Sequence, residues 1–297
     1  VATQEVNGKQ EPFITYTFNR IGGSIGTVTL HNDIVDSQKV ADHNITINEA
    51  QQRGIGELVF NMDATQDPSY DNTVYKEVKR TADSVTLEGY DPARQLFISK
   101  TYTLHPVKNL EGEILPGSKY LIRLTVSLLN KSPNVQDLRY MGIFGGSAYP
   151  IAKSEPKDTY THFFYHADGS LEQEVPSYFT GGFFSSAKAR VQQGPLQDLT
   201  YAGVMSQYYA TILLPQDQSR GSTVYATRQE FPLTHEGNTL VPGVTVAMGI
   251  PNLTMAPNEI KTLTYDIYTG PKFNAYLRDL NLSYPAISDI MAYGWLV

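Results

Sequence analysis

The sequence contains no cysteine among its 297 residues. This absence excludes a disulfide framework, a thiolate metal site and a cysteine nucleophile together. Charged residues form only 18% of the chain, the net charge is −7, and the basic residues do not cluster. Binding to nucleic acid or to anionic lipid through a basic surface is therefore not expected.

The sequence also lacks long hydrophobic runs and the common nucleotide motifs. No stretch approaches 18 consecutive apolar residues, so no segment is predicted to span a membrane. The phosphate-binding loop, the Gly-x-Ser-x-Gly elbow and the dinucleotide-binding glycine motif are all missing. We accordingly expect no cofactor and no catalytic residue of these types.

The residues that are present favour β-structure. Hydrophobic residues reach 41% and there are 20 tyrosines, a composition that suits half-buried strands. Short runs bounded by Gly, Pro, Asn or Asp are typical of an all-β sandwich or barrel. They predict strands at 13–18, 25–30, 57–62, 75–80, 84–90, 96–104, 120–129, 200–214, 222–228, 239–250 and 259–268. We expect residues 1–12 to form a flexible lead-in and residues 130–180 to form irregular connections.

The end of the chain changes to helical periodicity after Gly270-Pro271. Apolar residues recur there at i, i+3, i+4 and i+7, which predicts one helix over 272–282 and a shorter one over 286–292. The apolar side chains of these two helices are Phe273, Tyr276, Leu277, Leu280, Ile287, Ile290 and Met291.

Candidate metal and catalytic residues are few. His162 and His166 have a spacing that can bind a metal on a helix, but their aromatic surroundings predict an extended chain. Residues four apart on a strand lie roughly 13 Å from each other, so no metal site is predicted. A sugar epimerase would need a histidine and a carboxylate across a cleft, and no local motif joins such a pair. The candidate carboxylates are Glu155, Asp158, Glu172 and Glu230.

Several segments together resemble one protein family. Residues 201–215, YAGVMSQYYATILLP, and residues 255–272, MAPNEIKTLTYDIYTGPK, are the longest of them, and Tyr293-Gly294-Trp295 follows near the end. In their order and spacing they resemble the YidC-type membrane protein insertases, the bacterial relatives of the Oxa insertase. The positions that match the family pattern are Gly22, Gly23, Tyr201, Gly203, Gln207, Tyr208, Tyr209, Pro215, Gly270, Pro271 and Lys272.

This resemblance implies a galactose-mutarotase-like β-supersandwich over residues 13–270. A helical segment, 271–297, would then lead to a membrane-embedded part outside this chain. The resemblance also implies a non-catalytic domain on the periplasmic side of a Gram-negative inner membrane, which assists the insertion and folding of membrane proteins. The implied partners are the membrane core of the same protein, Sec components such as SecDF and SecYEG, and nascent inner-membrane proteins.

The C-terminal helices are the candidate interaction site. They include the apolar residues named above together with Tyr293 and Trp295. Their apolar faces either set the orientation of the domain relative to the membrane or close the end of the sandwich core, and the two roles are compatible. The alternative functions are a carbohydrate-binding or aldose-epimerase-like domain and a purely structural spacer.

Overall fold

The computed structural model describes the chain except for residues 7–8, 32–43, 50–52, 63–66, 151–154, 156–158, 182–185, 217–220, 234–236, 238, 251–252 and 292–297. The first half contains β1 (Ala2–Val6), β2 (Lys9–Asn19), β3 (Ser24–Leu30), β4 (Ile45–Ile47), β5 (Leu58–Phe60), β6 (Ser69–Tyr70), β7 (Lys76–Arg80), β8 (Ser84–Asp91), β9 (Leu96–Leu104), β10 (Leu121–Asn130), β11 (Gln136–Asp137) and β12 (Gly142–Ala148). The second half contains β13 (His162–Ala167), β14 (Ser170–Glu174), β15 (Val191–Gln193), β16 (Leu199–Met205), β17 (Tyr209–Pro215), β18 (Thr223–Leu233), β19 (Thr239–Gly249), β20 (Thr254–Met255) and β21 (Ile260–Pro271).

Helical structure is short and lies mainly near the end of the chain. The α-helix α1 spans Asn274–Leu280, and 3-10 helices span Pro116–Tyr120, Pro176–Phe179 and Ile287–Met291. None of the helices in the described ranges is long and apolar enough to cross a membrane.

The strands form an antiparallel sandwich. As far as the chain is described, the larger sheet has the order β14-β13-β16-β17-β21-β10-β9-β8-β7, and the facing sheet has the order β15-β18-β19-β12-β5-β6. A further sheet, β1-β2-β3-β4, is joined to the sandwich through the bridge between Ile25 and Ile55. The fold is therefore all-β with short C-terminal helices, as predicted.

The core lies between the sheets, and the strand pattern shows why. In β10, Leu124, Val126 and Leu128 are completely buried, whereas the residues between them are partly exposed. Successive side chains on a strand point to opposite faces, so this alternation directs one face of the sheet inward. Burial of apolar surface, at roughly 25 cal/mol per Å², provides the main stabilising term of such a core.

Three stretches differ from the sequence prediction. Residues 1–12, expected to be a flexible lead-in, instead form β1 and the start of β2, which pair in register from Val6 and Lys9 outward. Backbone pairing needs no apolar side chain, so this polar hairpin gives little sequence signal. The predicted strand 200–214 is two strands, β16 and β17, joined at Ser206.

The region expected to be irregular, 130–180, contains β12, β13 and β14. In β12 every residue is buried, although the sequence Gly-Ile-Phe-Gly-Gly-Ser-Ala reads as a turn. The strand lies between β19 and β5 with a bulge between Phe144 and Gly146, and glycine is tolerated where other chains approach closely.

Candidate functional site

The C-terminal segment, residues 273–291, packs onto one end of the sandwich. Leu277 and Leu280 of α1 are completely buried, and so is Ile287 of the following 3-10 helix, with Ile290 only 3% exposed. The predicted helical periodicity is thus confirmed, although α1 ends at residue 280. Because these four side chains belong to the main core, they cannot contact a partner while the segment stays in place.

The outer side of the segment remains accessible. Phe273 is 40% exposed, and Tyr276 and Met291 are partly buried. Tyr293 and Trp295, the other two predicted interaction residues, lie outside the described residues. Of the predicted set, Phe273, Tyr276 and Met291 are therefore the described side chains that a partner can reach.

The 3-10 helix Pro116–Tyr120 packs directly against α1. A Cβ atom added to Gly117 would lie 2.6 Å from the carbonyl oxygen of Tyr276, so the absence of a side chain lets the two backbones approach. The Tyr276 ring lies 6.0 Å from the Tyr120 ring and 5.4 Å from the Phe273 ring, between ring centroids. These contacts define how α1 lies on the sandwich.

Asp266 in β21 is the polar centre of this joint. Its side chain is completely buried and accepts two hydrogen bonds from Arg123, at 2.7 and 2.8 Å. The hydroxyl of Tyr284, which follows α1, donates to the same carboxylate at 2.8 Å. Burial, and next the charge of Asp266, raise the pKa of Tyr284, so this hydroxyl stays protonated as a donor. A buried carboxylate is stable only with such partners.

Two further polar contacts tie the segment down. The Tyr201 hydroxyl of β16 donates to the carbonyl oxygen of Ala286 at 2.8 Å. Within the segment, Asn281 donates to the Ser288 hydroxyl at 2.7 Å and accepts from the Ser288 backbone N–H at 3.1 Å. The segment is therefore held by β16 and β21 as well as by its apolar face.

Lys272 connects the end of β21 to the turn between β16 and β17. Its backbone N–H donates to the Tyr208 carbonyl at 2.6 Å, and its ammonium group donates to the Ser206 carbonyl at 3.1 Å. Burial lowers the pKa of Lys272 to about 8, and nearby Glu155 opposes this shift. The Glu155 carboxylate accepts the backbone N–H of Gln207 at 3.0 Å. These contacts bring the two longest family-like segments together.

The remaining family-pattern residues are structural in their placement. Gly203 lies within β16, Tyr209 and Pro215 begin and end β17, and Gly270-Pro271 ends β21. Pro271 pairs with Tyr209, and its carbonyl accepts the Tyr268 hydroxyl at 2.6 Å.

Gly22-Gly23 forms the turn before β3 and covers a buried lysine. Both glycines have positive φ angles, 76° and 51°, which favour glycine. The Lys100 ammonium donates to the carbonyl oxygens of Gly22, at 2.6 Å, and Gly56, at 3.0 Å. Asp71 lies 3.8 Å from the same nitrogen. Burial lowers the pKa of Lys100 to about 8, against the opposing charges of Asp71 and Glu57.

The candidate histidines are not part of a group of side chains that could hold a metal in the described part of the chain. His162 and His166 both lie on the strand β13, as predicted, and His166 stacks on Tyr201 with 5.2 Å between ring centroids. Among the described residues, no group of three or more His, Asp or Glu side chains is arranged to hold a metal. His105 lies 3.9 Å from Asp266, but that carboxylate is already engaged by Arg123 and Tyr284.

The candidate carboxylates are also scattered. Glu155 caps the turn at Gln207, Glu230 pairs with Arg228, and Glu172 is exposed on β14. Asp158 lies outside the described residues. Asp266 and Lys100 were not among the candidate residues predicted from the sequence. The sequence pattern does distinguish them, since each is a charged residue inside an otherwise apolar strand.

The fold and the site together define a two-sheet β-sandwich domain with a helical segment fixed to one end. A family model described as the YidC periplasmic domain matches residues 10–297. The chain belongs to this family and is a domain on the periplasmic side of a membrane protein, which confirms the resemblance inferred from the sequence.

Solved structures with related folds share little sequence with this chain. A polysaccharide lyase is 12% identical with a TM-score of 0.38, over 90% of this chain and 34% of the lyase, so the chain spans about a third of that protein. YeaD from Salmonella typhimurium, provisionally assigned as a mutarotase, is 10% identical with a TM-score of 0.45, over 88% of each chain. A provisionally assigned aldose 1-epimerase from Klebsiella pneumoniae is 9% identical with a TM-score of 0.39, over 73% of this chain and 58% of the epimerase. These similarities carry no information on activity.

Proposed function

We propose that this domain is the non-catalytic periplasmic support of a membrane protein insertase. Its C-terminal segment would hold the membrane-embedded core in a set orientation, and the domain would thereby assist the insertion and folding of inner-membrane proteins. The observation that carries this proposal is the joint at Asp266. One buried carboxylate links β10, β21 and the C-terminal segment through Arg123 and Tyr284.

The joint resists movement for two physical reasons. Lifting the segment would expose apolar side chains such as Leu277 and Leu280, which are completely buried. It would also remove a donor from Asp266, and a buried charge that loses a partner is strongly destabilised. A change in orientation therefore has to overcome both terms, which is the behaviour expected of a rigid connector.

The same joint supports a non-catalytic role. An epimerase needs a carboxylate that can meet a substrate, whereas Asp266, the carboxylate beside His105, has no exposed surface. Its two oxygens are taken by structural donors. The carbohydrate-binding or epimerase-like alternative predicts that a sugar raises the unfolding temperature or changes ring form, and either result would support it.

The orienting role is tested in the full-length insertase reconstituted in lipid vesicles. We expect the double substitution Tyr201→Phe and Tyr284→Phe to reduce insertion of a membrane protein substrate and to speed hydrogen exchange in residues 274–291. The matched control is Tyr90→Phe with Tyr140→Phe, since these two rings are 47% and 51% exposed. Unchanged insertion despite faster exchange in the segment would contradict the orienting role.

Docking to Sec components, including SecDF and SecYEG, is a separate part of the proposal. Removal of residues 271–297 would expose the core, so a point substitution on the accessible side is the better test. We expect the tagged domain to retain Sec components from detergent-solubilised inner membranes and Phe273→Ser to weaken this retention. Leu240→Ser, at a residue 60% exposed in β19, is the control. Equal retention by both variants would argue against docking through this surface.

A further inference from the structure

A cavity of about 470 Å³ lies between β2 and the edge strand β7, away from the C-terminal segment. This volume is within the roughly 300–1,000 Å³ that is common for ligand sites. Tyr16 and Phe18 of β2 and Leu87 of β8 provide apolar surface, and charged side chains lie around them. The charged residues of the cavity are Arg20, Lys76, Glu77 and Arg80.

The cavity carries excess positive charge in a chain whose net charge is −7. Glu77 is satisfied by Arg80, which donates to both of its oxygens at 2.8 and 2.6 Å. Arg20 and Lys76 are exposed, and neither side chain makes a hydrogen bond or ion pair to any residue that the structure describes. Arg20 follows β2 of the four-stranded sheet, and Lys76 begins β7 of the larger sheet. Each sheet therefore contributes one of these two cationic residues to the cavity.

The edge of the larger sheet borders this cavity. In the part of the chain that is described, β7 pairs with β8 alone, so the other edge of β7 carries backbone groups without a partner strand. Exposed apolar residues lie at this edge: Val78 within β7 is 52% exposed, and Val74 and Ile21, which form a β-bridge with each other just before β7, are 57% exposed each. An extended polypeptide can bind to such an edge by adding a strand.

The charges of β7 decide which kind of strand can be added. Its sequence, Lys-Glu-Val-Lys-Arg, has three cations and one carboxylate. A second copy paired antiparallel about Val78 would place Lys76 opposite Arg80, a like-charge pair, and lysines on an edge strand disfavour such self-association. An acidic strand would instead gain ion pairs. Cations on an edge strand can serve only to prevent self-association of that edge. Arg20 lies outside β7, so this role does not explain why Arg20 lines the cavity.

We propose that an extended, acidic polypeptide segment binds in this cleft along β7, with its carboxylates against Arg20 and Lys76. The binding is distinct from the orienting role of the C-terminal segment, and the failure of either proposal leaves the other unaffected. Strand addition supplies backbone hydrogen bonds, and the two cations select for negative charge.

The test uses the whole chain and a labelled eight-residue peptide of alternating glutamate and threonine. Fluorescence anisotropy is expected to show binding that weakens with salt, and a peptide with glutamine in place of glutamate is expected not to bind. Arg20→Gln and Lys76→Gln are each expected to weaken binding by about two- to fivefold, the range for an exposed ion pair. Lys188→Gln, beside Tyr178 just after the opposite edge strand β14, is the matched control and should bind normally.

Hydrogen exchange separates strand addition from simple anion binding. The glutamate peptide is expected to slow exchange of β7 amides, whereas inorganic phosphate is expected to leave them unchanged. Three results would overturn the proposal: equal binding of the glutamine peptide, equal loss in all three variants, or β7 amides that the bound peptide does not protect.

Discussion

The ammonium group of Lys100 donates a hydrogen bond to the carbonyl oxygen of Gly22, 2.6 Å away and 78 residues distant in sequence. Lys100 is completely buried on β9, and Gly22 lies in the turn that begins β3. This bond joins the four-stranded sheet to the sandwich. The turn needs glycine at both positions because their φ angles are positive and an added Cβ would lie 2.8 Å from the Glu57 side chain at Gly22 and 2.7 Å from the Tyr75 ring at Gly23.

Replacing Lys100 with methionine is expected to destabilise the domain by about 3–5 kcal/mol, the loss typical of breaking a buried pair. The substitution keeps most of the side-chain volume but leaves the Gly22 and Gly56 carbonyls without their donor and the buried Asp71 carboxylate without its neighbouring cation. Urea denaturation measures the change in the free energy of unfolding. Lys79→Met on exposed β7 should change it by less than about 0.5 kcal/mol, and similar values for both would contradict the role assigned to Lys100.

The lowered pKa of Lys100 also predicts a pH dependence. Burial lowers the pKa of Lys100 to about 8 in the folded protein, against 10.5 for a lysine in the unfolded chain. Between these values the unfolded state binds more protons than the folded state, so the unfolding free energy rises with pH as the cost of keeping the buried amine protonated is removed. We expect the unfolding free energy of the wild type, relative to Lys100→Met, to increase by about 3 kcal/mol across this window. If this difference in unfolding free energy between the wild type and Lys100→Met does not change with pH, the pKa of Lys100 is that of an ordinary lysine.

The buried face of α1 is expected to contribute substantially to stability. Leu277→Ala removes a side chain with no exposed surface and should lower the unfolding free energy by about 2–5 kcal/mol. Leu282→Ala, only five residues on but 82% exposed, should have an effect near zero. Thermal or urea unfolding distinguishes these outcomes, and equal small effects would mean that the segment is not part of the core.

Close backbone contact between Gly117 and α1 leads to a local prediction. In Gly117→Ala the new methyl group meets the Tyr276 carbonyl at 2.6 Å, so α1 has to shift, at about 1–3 kcal/mol. Hydrogen exchange should become faster in residues 274–280 and stay unchanged in β8 and β9. Gly112→Ala has open space around the new atom but a φ of 87° that strains alanine, so its effect should stay within its own loop and leave α1 protected. Faster exchange throughout the sandwich would show a global effect instead.

Local pattern in the sequence was sufficient for the all-β class and for the helical end of the chain. The alternation in β10 and the spacing from Phe273 to Leu280 each place apolar residues on one face, and such periodicity survives in the folded state. The pattern failed where the fold relies on backbone pairing, as in β1, or on close approach of glycines, as in β12. In both places the side chains carry little information about the partner strand.

Only part of the candidate site could be predicted from the sequence. The helical segment and its apolar residues were predicted from the sequence. Which of these residues are buried, as Leu277 is, and which are exposed, as Phe273 is, depends on where the 3-10 helix at Gly117 contacts α1. Arg123 and Tyr284 lie 143 and 18 residues from Asp266 in sequence, and no spacing rule predicts that the three meet.

The sequence by itself determined the family, the strand composition and the presence of a helical C-terminal segment, because each depends on residue type and short-range order. Only the tertiary structure decided which charged groups are buried together, as with Lys100 beneath Gly22 and Asp266 between Arg123 and Tyr284. It also decided which sheet edge borders a cationic cleft. The physical reason is that burial and long-range hydrogen bonds are properties of packed surfaces, which form only when distant strands come together.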